Sequence, residues 1–362
     1  MKLTQKFQVL LAMTRLQKQW LNVSFSHYGS LYYAGDVQSP TGTHYVRDGR
    51  AVKDFGFAIR PTTGRDWVDG GISVLDIERG PWPSVTEYLQ AVGSREAKAM
   101  KHLIPPKQIA LFCGPRLYQP DIRKKRTALA RYQQIVDDLI PKDTRITNPY
   151  LWHHDLHSDN IYRDPDNPEN ITGIVDWQSC HISPLFNHNP DPAFLEGDGF
   201  EPETLDLIPR PNLSGLSPEQ RSAAVREYSF LNTFLGWRKL MHAKNPDMHQ
   251  RFNFERSRHT WTDLPVVTSD RPFPFNFSEE DLACIEWDSD GAVAGTELVA
   301  KVKESLGDLW TDKGFIERER YDDCRDALQE VKAQVLEQLA ETDEEKAEYL
   351  HYWPFDWLLA CF

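Results

Sequence analysis

Apolar residues near the start of the chain recur at helical spacing. Phe7, Leu10, Leu11, Leu16 and Trp20 fall partly on one face, which predicts an amphipathic helix within residues 1–25. The pattern then changes. In SHYGSLYYAGD, aromatic side chains sit beside Gly29 and Gly35, and between Phe55 and Trp67 a short apolar run ends in a turn. Both read as strands bounded by turns, a small β-rich excursion from an otherwise helical chain. At Ser84 helical spacing returns. Ser84-Val-Thr-Glu87 has the form of a capping box, whose side chains satisfy free N–H groups of a first turn; the helix should run to about Leu103, before Pro105. Leu129, Tyr132, Ile135, Val136 and Leu139 predict a second helix from about Pro120 to Ile140, ended by Pro141.

Two short apolar runs, Ile161-Tyr162 and Ile171 to Val175, flank a turn rich in Pro, Asn and Asp, the signature of a β-hairpin. Residues 187–216 are rich in Pro, Gly and Asn and read as an irregular loop. Ser217-Pro-Glu-Gln220 combines a cap, a proline at the first helical position and a capping-box glutamine, so a helix should start there and reach about Ala243. Residues 244–277 read as loop-rich again. Helices are expected over Ser278 to Leu306, with breaks, and over Glu317 to Leu339. Thr342-Asp-Glu-Glu345 caps a last short helix, before an aromatic tail, Tyr352 to Phe362, that should pack onto the body. The fold class is α+β, mostly helical.

Composition narrows what such a chain can do. Its 362 residues suffice for one large domain or two modest ones, and 12% aromatic residues argue against extended disorder. A net charge of -13 repels phosphates, which disfavours general nucleic-acid binding; Lys124-Lys125-Arg126 reads as a solvated helix face. The five cysteines are scattered, with no CxxC, and read as free thiols of a reducing, intracellular compartment; no paired Cys/His zinc motif is present. No apolar stretch approaches the ~20 residues of a membrane helix. The first acidic residue is Asp36, so a mitochondrial presequence stays open beside the amphipathic helix.

The segment that carries chemistry is His153-His154-Asp155-Leu156-His157-Ser158-Asp159-Asn160, followed by Ile174-Val175-Asp176-Trp177. Phosphoryl transfer to a hydroxyl needs one carboxylate to orient the nucleophile and accept its proton, and a carboxylate and an amide to hold Mg²⁺ on the nucleotide phosphates. Asp155 and Asn160 stand at the two ends of one loop. Asp176 follows a β-run, and the hairpin between them brings the three groups into one cleft. Asp and Asn favour turns, so either alone reads as loop capping; the ordered combination favours an active site. A transition-metal cluster of His153, His154 and His157 with Asp155 competes, but no second ligand cluster appears downstream. Trp177 reads as core and Gln178 as a packed polar residue, with contact to the metal region as its alternative. The acidic stretches Glu196-Gly-Asp198 and Glu201 to Glu203 read as a solvated loop, with recognition of a cationic substrate as theirs.

HHDLHSDN with a downstream IVDW resembles the aminoglycoside phosphotransferase and choline-kinase branch of the protein-kinase-like superfamily. The resemblance implies a kinase-like C-terminal lobe with a small β-hairpin bearing the catalytic loop, ATP as co-substrate, Mg²⁺, and a small-molecule or other hydroxyl acceptor. It makes Asp155 the catalytic base, His153 the histidine that braces the loop, His157 a nucleotide-side residue, and Asn160 and Asp176 the magnesium ligands. YGSLYY (Tyr28 to Tyr33), RGPWPSVTEYLQA (Arg79 to Ala91) and DWQSCHISPLF (Asp176 to Phe186) are similar to a fungal subfamily of kinase-like proteins named for altered inheritance of mitochondria, which implies a mitochondrial location. On this basis residues 1–83 lead into the domain, 84–277 form the kinase-like lobe, and 278–362 are a helical extension. One departure is large: no Gly-rich loop followed by a strand lysine precedes Asp155, and Lys53 has no suitable partner. A lobe without its nucleotide-covering half should lose activity by orders of magnitude. A catalytically silent pseudokinase or scaffold is the alternative.

Overall fold

A computed structural model gives the fold and describes residues 3–38, 44–103, 110–178, 180–189, 191–192, 195, 204–257, 274–310 and 316–355. The chain is mostly helical with small sheets. It divides into two compact units: residues 1–102 with 129–272, and residues 103–128 with 273–362.

The first unit begins with helix α1 (Leu3–Leu21). Its buried stripe is Leu10, Met13, Gln17 and Leu21, while Phe7 is 38% exposed, so the face turned to the core is rotated from the expected one. The helix also ends at Leu21, not near residue 25. Val23–Phe25 becomes strand β1, which pairs with β3 (Tyr45–Arg47), and β3 pairs with β4 (Arg50–Val52). The expected strand pair is β2 (Ser30–Tyr33) and β5 (Phe57–Arg60), antiparallel with Ser30 opposite Arg60. Helix α2 (Val85–His102) starts at the expected cap: the Glu87 N–H donates to Ser84 Oγ at 3.2 Å. Helix α3 (Ile122–Ile135) tightens into a 3₁₀ turn, Val136–Leu139, before Pro141. Lys124, Lys125 and Arg126 are exposed on it.

After a short helix α4 (Thr144–Thr147) come strands β6 (Pro149–Trp152), β7 (Ile161–Arg163), β8 (Ile171–Ile174) and β9 (His181–Pro184). Helix α5 (Pro218–Lys244) carries the expected capping box. The stretch 244–277 holds a helix where a loop is expected, α6 (Pro246–Ser257). Its apolar residues are few, but Met248, Phe252 and Phe254 join one core with Phe234, Trp237 and Met241 of α5 and Leu10 and Met13 of α1. Tertiary burial, not local periodicity, makes this helix.

The second unit holds α7 (Glu279–Leu306), α8 (Tyr321–Leu339) and α9 (Asp343–Tyr352) around Phe112, Val302, Leu306, Val335, Tyr349 and Trp353. Helix α7 runs unbroken through the expected breaks. Gly295 lets the segment at Phe112 lie directly on it: the Phe112 N–H donates to the Gly295 carbonyl at 3.2 Å. A Cβ at Gly295 would collide with the Phe112 carbonyl oxygen. Gly to Ala in a helix interior normally stabilises by ~1 kcal/mol, but backbone overpacking costs ~1–3 kcal/mol, so Gly295→Ala should lower stability by up to about 2 kcal/mol, read from the denaturant midpoint. Trp353 and Phe355 of the aromatic tail are buried; its residues 356–362 lie outside the described ones.

Candidate active site

Two antiparallel ladders build the site. In one, Trp152 at the end of β6 lies opposite His181 at the start of β9. In the other, Ile161 at the start of β7 lies opposite Ile174 at the end of β8. The loop 153–160 therefore leaves and re-enters the ladders beside residues 175–178, which brings Asp155 and Asp176 to the same end.

His153 fixes the two loops to each other. Its ring is buried, and its Nδ1 accepts the Asp155 N–H at 3.2 Å. Nε2 therefore carries the proton, which it donates to the Val175 carbonyl at 2.9 Å. Val175 is held on its other side as well, its N–H donating to the Asn160 carbonyl at 3.1 Å. Trp177 packs edge-on against the His153 ring at 4.8 Å, but it is 40% exposed, so it is a cover over the loop and not the core residue expected.

Asn160 is buried at the end of a 3₁₀ turn, Ser158–Asn160. Its amide donates to the Asp155 carbonyl at 2.9 Å and lies 3.2 Å from His157 Nε2. With the amide hydrogens engaged, Oδ1 is the atom left for an outside partner. His157 Nε2 is also 3.7 Å from Asp155 Oδ1, both side chains being half-exposed. Asp176 adopts φ 62°, in the left-handed region, two residues past β8. Aspartate tolerates that region better than most residues, yet it costs ~1–2 kcal/mol, the kind of strain concentrated at functional turns.

Asp155 and Asp176 share a cavity of about 360 Å³ with His154, Gln178, Cys180, His181, Arg65 and Asp66. Gln178 is exposed here, which corrects its reading as a packed residue. Arg65 and Asp66 form a wall that the motifs do not announce. Asp66 is held by Arg95 at 2.5 Å, and the Arg95 guanidinium lies 4.6 Å over the ring of Trp67. Arg79, from RGPW, donates to the carbonyls of Trp67, Ile72, Ser73, Leu75 and Ile77, which fastens the loop behind the wall. Gly64 is required by close approach, since a Cβ would come within 2.7 Å of His181 Nδ1. Asn160 does not line this cavity; it reaches it only through Asp155 and Val175. Residues 196–203, with the acidic stretches, lie outside the described residues.

Desolvation, then repulsion by His181, pushes the His154 pKa down; a solvent-exposed face limits the burial contribution. Burial raises the Cys180 thiol to about 11, which keeps it an inert thiol at neutral pH. Cys113, Cys284 and Cys324 are also free thiols. Cys361 lies outside the described residues.

His188, just past β9, is fully buried, and burial followed by repulsion from His154 and His181 holds its pKa well below 6.5. Nε2 faces the carbonyls of Tyr150 at 3.1 Å and Ser183 at 3.2 Å, so it carries the one proton, and Nδ1 has no partner to receive a second. Below about pH 6.5 the unfolded chain takes up a proton that the folded one refuses. Stability should be flat above that pH and fall below it by up to ~1.4 kcal/mol per pH unit from this group. His188→Gln keeps a donor and cannot titrate, so its profile should be flatter when denaturant midpoints at pH 7.5 and 5.5 are compared.

Among the described residues no group of three or more His, Cys, Asp and Glu side chains is placed to hold a metal ion. The Asp176 carboxylate on the cavity is a hard oxygen donor of the kind that suits magnesium, which keeps several waters; Asn160 Oδ1, the other expected donor, stands off the cavity.

Residues 105–187 match the phosphotransferase enzyme family. That stretch contains both HHDLHSDN and IVDW. A subtelomeric hrmA-associated cluster protein of Aspergillus fumigatus is 24% identical over 233 residues, 56% of this chain and 44% of that protein. Altered inheritance of mitochondria protein 9, mitochondrial, of Komagataella phaffii is 25% identical over 247 residues, 65% of this chain and 39% of that protein. Its namesake in Eremothecium gossypii is 25% identical over 213 residues, 55% and 34%. The chain thus spans less than half the length of the curated relatives it matches. No solved structure matches it. Among the described residues no helix is long and apolar enough to cross a membrane.

Proposed function

We propose that this chain supplies the kinase-like C-terminal lobe of a phosphotransferase that moves the ATP γ-phosphoryl group to a hydroxyl acceptor, in mitochondria as the names of its relatives suggest. The observation that carries the reading is the single fixed unit of Asp155 and Asp176: two carboxylates on one cavity, their loops locked through His153 and Val175.

In this reading Asp155 orients the acceptor hydroxyl and takes its proton. Asn160 Oδ1 and the Asp176 carboxylate hold magnesium, which when bound neutralises charge on the phosphate oxygens. His157, beside Asp155 Oδ1, faces the nucleotide. His153 touches no reactant and acts by position alone. The left-handed backbone at Asp176 supports the reading, because strained positions of this kind cluster at functional turns.

Titration calorimetry tests it. ATP should bind the full chain only with magnesium present, and Asp176→Ala should abolish that magnesium-dependent binding. ATP binding that ignores magnesium, or no binding in the parent, would sink the enzyme reading. Magnesium-dependent binding without turnover would leave a nucleotide-sensing pseudokinase.

A further inference from the structure

A second cavity, of about 580 Å³, lies between α1, the 3₁₀ turn after the 153–157 loop, β7 and α5. It shares no lining residue with the Asp155 and Asp176 cavity. Its volume falls within the ~300–1,000 Å³ of small-molecule sites. The walls are mainly apolar: Val9 and Leu10 of α1, Ile161 of β7, and Phe230 of α5. The hydroxyls on the α5 wall are spent on their own helix, Ser229 donating to the Val225 carbonyl at 2.7 Å and Thr233 to the Ser229 carbonyl at 2.6 Å.

Among the described residues, the charged side chains that line the cavity are all of one sign: Lys6, Arg163 and Arg226. Arg226 donates to Ser222 Oγ at 2.8 Å. Arg163 is different. Its Nη1 is buried and has no hydrogen-bond partner. A guanidinium nitrogen removed from water without an acceptor is costly, and such groups in native proteins call for an explanation. Its placement is built in. Arg163 and Ile161 alternate with Tyr162 along β7, so they share a face, and the ladder shifts register between Tyr162 and Arg163, an irregularity of the kind that re-aims a side chain.

We propose that this cavity binds a monomeric anionic amphiphile, an aliphatic body with one carboxylate or phosphate group, the acid group satisfying Arg163. An apolar wall takes the body, the Arg163 guanidinium takes the anion in a charge-assisted bond, and the exposed Lys6 and Arg226 add attraction. The site is independent of the phosphotransferase reading.

Calorimetry with the full chain tests this, using decanoate, decyl phosphate and decanol below their micelle concentrations. At least one anion should bind about tenfold tighter than decanol, the share expected of one charge-assisted hydrogen bond, and the better of the two identifies the head group. Arg163→Gln should bring that anion down to the level of decanol while leaving decanol unchanged. Its melting temperature should not fall, because the arginine has no partner to lose. Ser229→Trp should fill the cavity and remove binding of all three probes. The proposal fails if no probe binds the parent, if decanol matches both anions, if Arg163→Gln keeps the preference, or if Ser229→Trp still binds decanol.

Discussion

Asp155→Asn is expected to reduce phosphoryl transfer by about 10²–10⁴-fold, the usual contribution of a positioned general base. The substitution is nearly isosteric. The loop is held through the Asp155 backbone, whose N–H meets His153 and whose carbonyl meets Asn160, so the change of side chain leaves both bonds in place. What disappears is the capacity to take a proton. The cavity also loses one negative charge beside Asp176, which favours the polyanionic nucleotide. Magnesium-dependent ATP binding should therefore be kept or tightened while turnover is lost. Asp176→Ala should lose both, because the metal ligand proposed here would serve binding and chemistry together. ADP release with water as the default acceptor gives the rate, and calorimetry gives the affinity. A variant at Asp155 that turns over like the parent removes this residue from the chemistry.

The parts of this molecule legible from sequence are those that local chemistry decides. Ser217 and Gln220 form their reciprocal cap because both partners lie within one turn. The β7–β8 hairpin follows from two apolar runs around one turn. Asp155 and Asp176 could be placed together because a hairpin separates them and nothing else intervenes. The Arg65 and Asp66 wall could not. It stands about 90 residues earlier in the chain, and its position depends on Arg79 collecting five carbonyls and on Arg95 stacking over Trp67. Those contacts leave no period or spacing to read. Helix α6 was hidden for a related reason: only the presence of α5 and α1 makes Met248 and Phe252 a buried face. Trp177 misled by type. An indole usually belongs inside, but here it packs edge-on against His153 while its Nε1–H donates to the Ile174 carbonyl at 3.1 Å.

Asp191→Ala is expected to cost about 3–5 kcal/mol, the penalty for breaking a buried ion pair from one side. Asp191 lies in the stretch read as an irregular loop, yet its carboxylate is nearly as buried as a core residue. Oδ1 accepts the Trp237 Nε1–H at 2.8 Å and Oδ2 accepts Arg238 Nη2 at 2.7 Å. Both charged side chains are only 8% exposed, and the Arg238 guanidinium lies 3.6 Å from the centroid of Phe252. Removing the carboxylate takes an acceptor from a buried cation and from an indole N–H at once. Against a total stability of ~5–15 kcal/mol that loss is severe. The damage should also reach the site, since two residues earlier the Asn189 carbonyl accepts the Trp152 Nε1–H at 3.0 Å, and Trp152 precedes His153. The double variant Asp191→Ala with Arg238→Met separates the charge from the packing. Replacing a buried pair by apolar groups is often close to neutral, so it should recover most of the loss in urea unfolding, although Trp237 still lacks its acceptor. A single variant that loses less than ~1 kcal/mol would mean that water reaches this pair and that it behaves as a surface bridge.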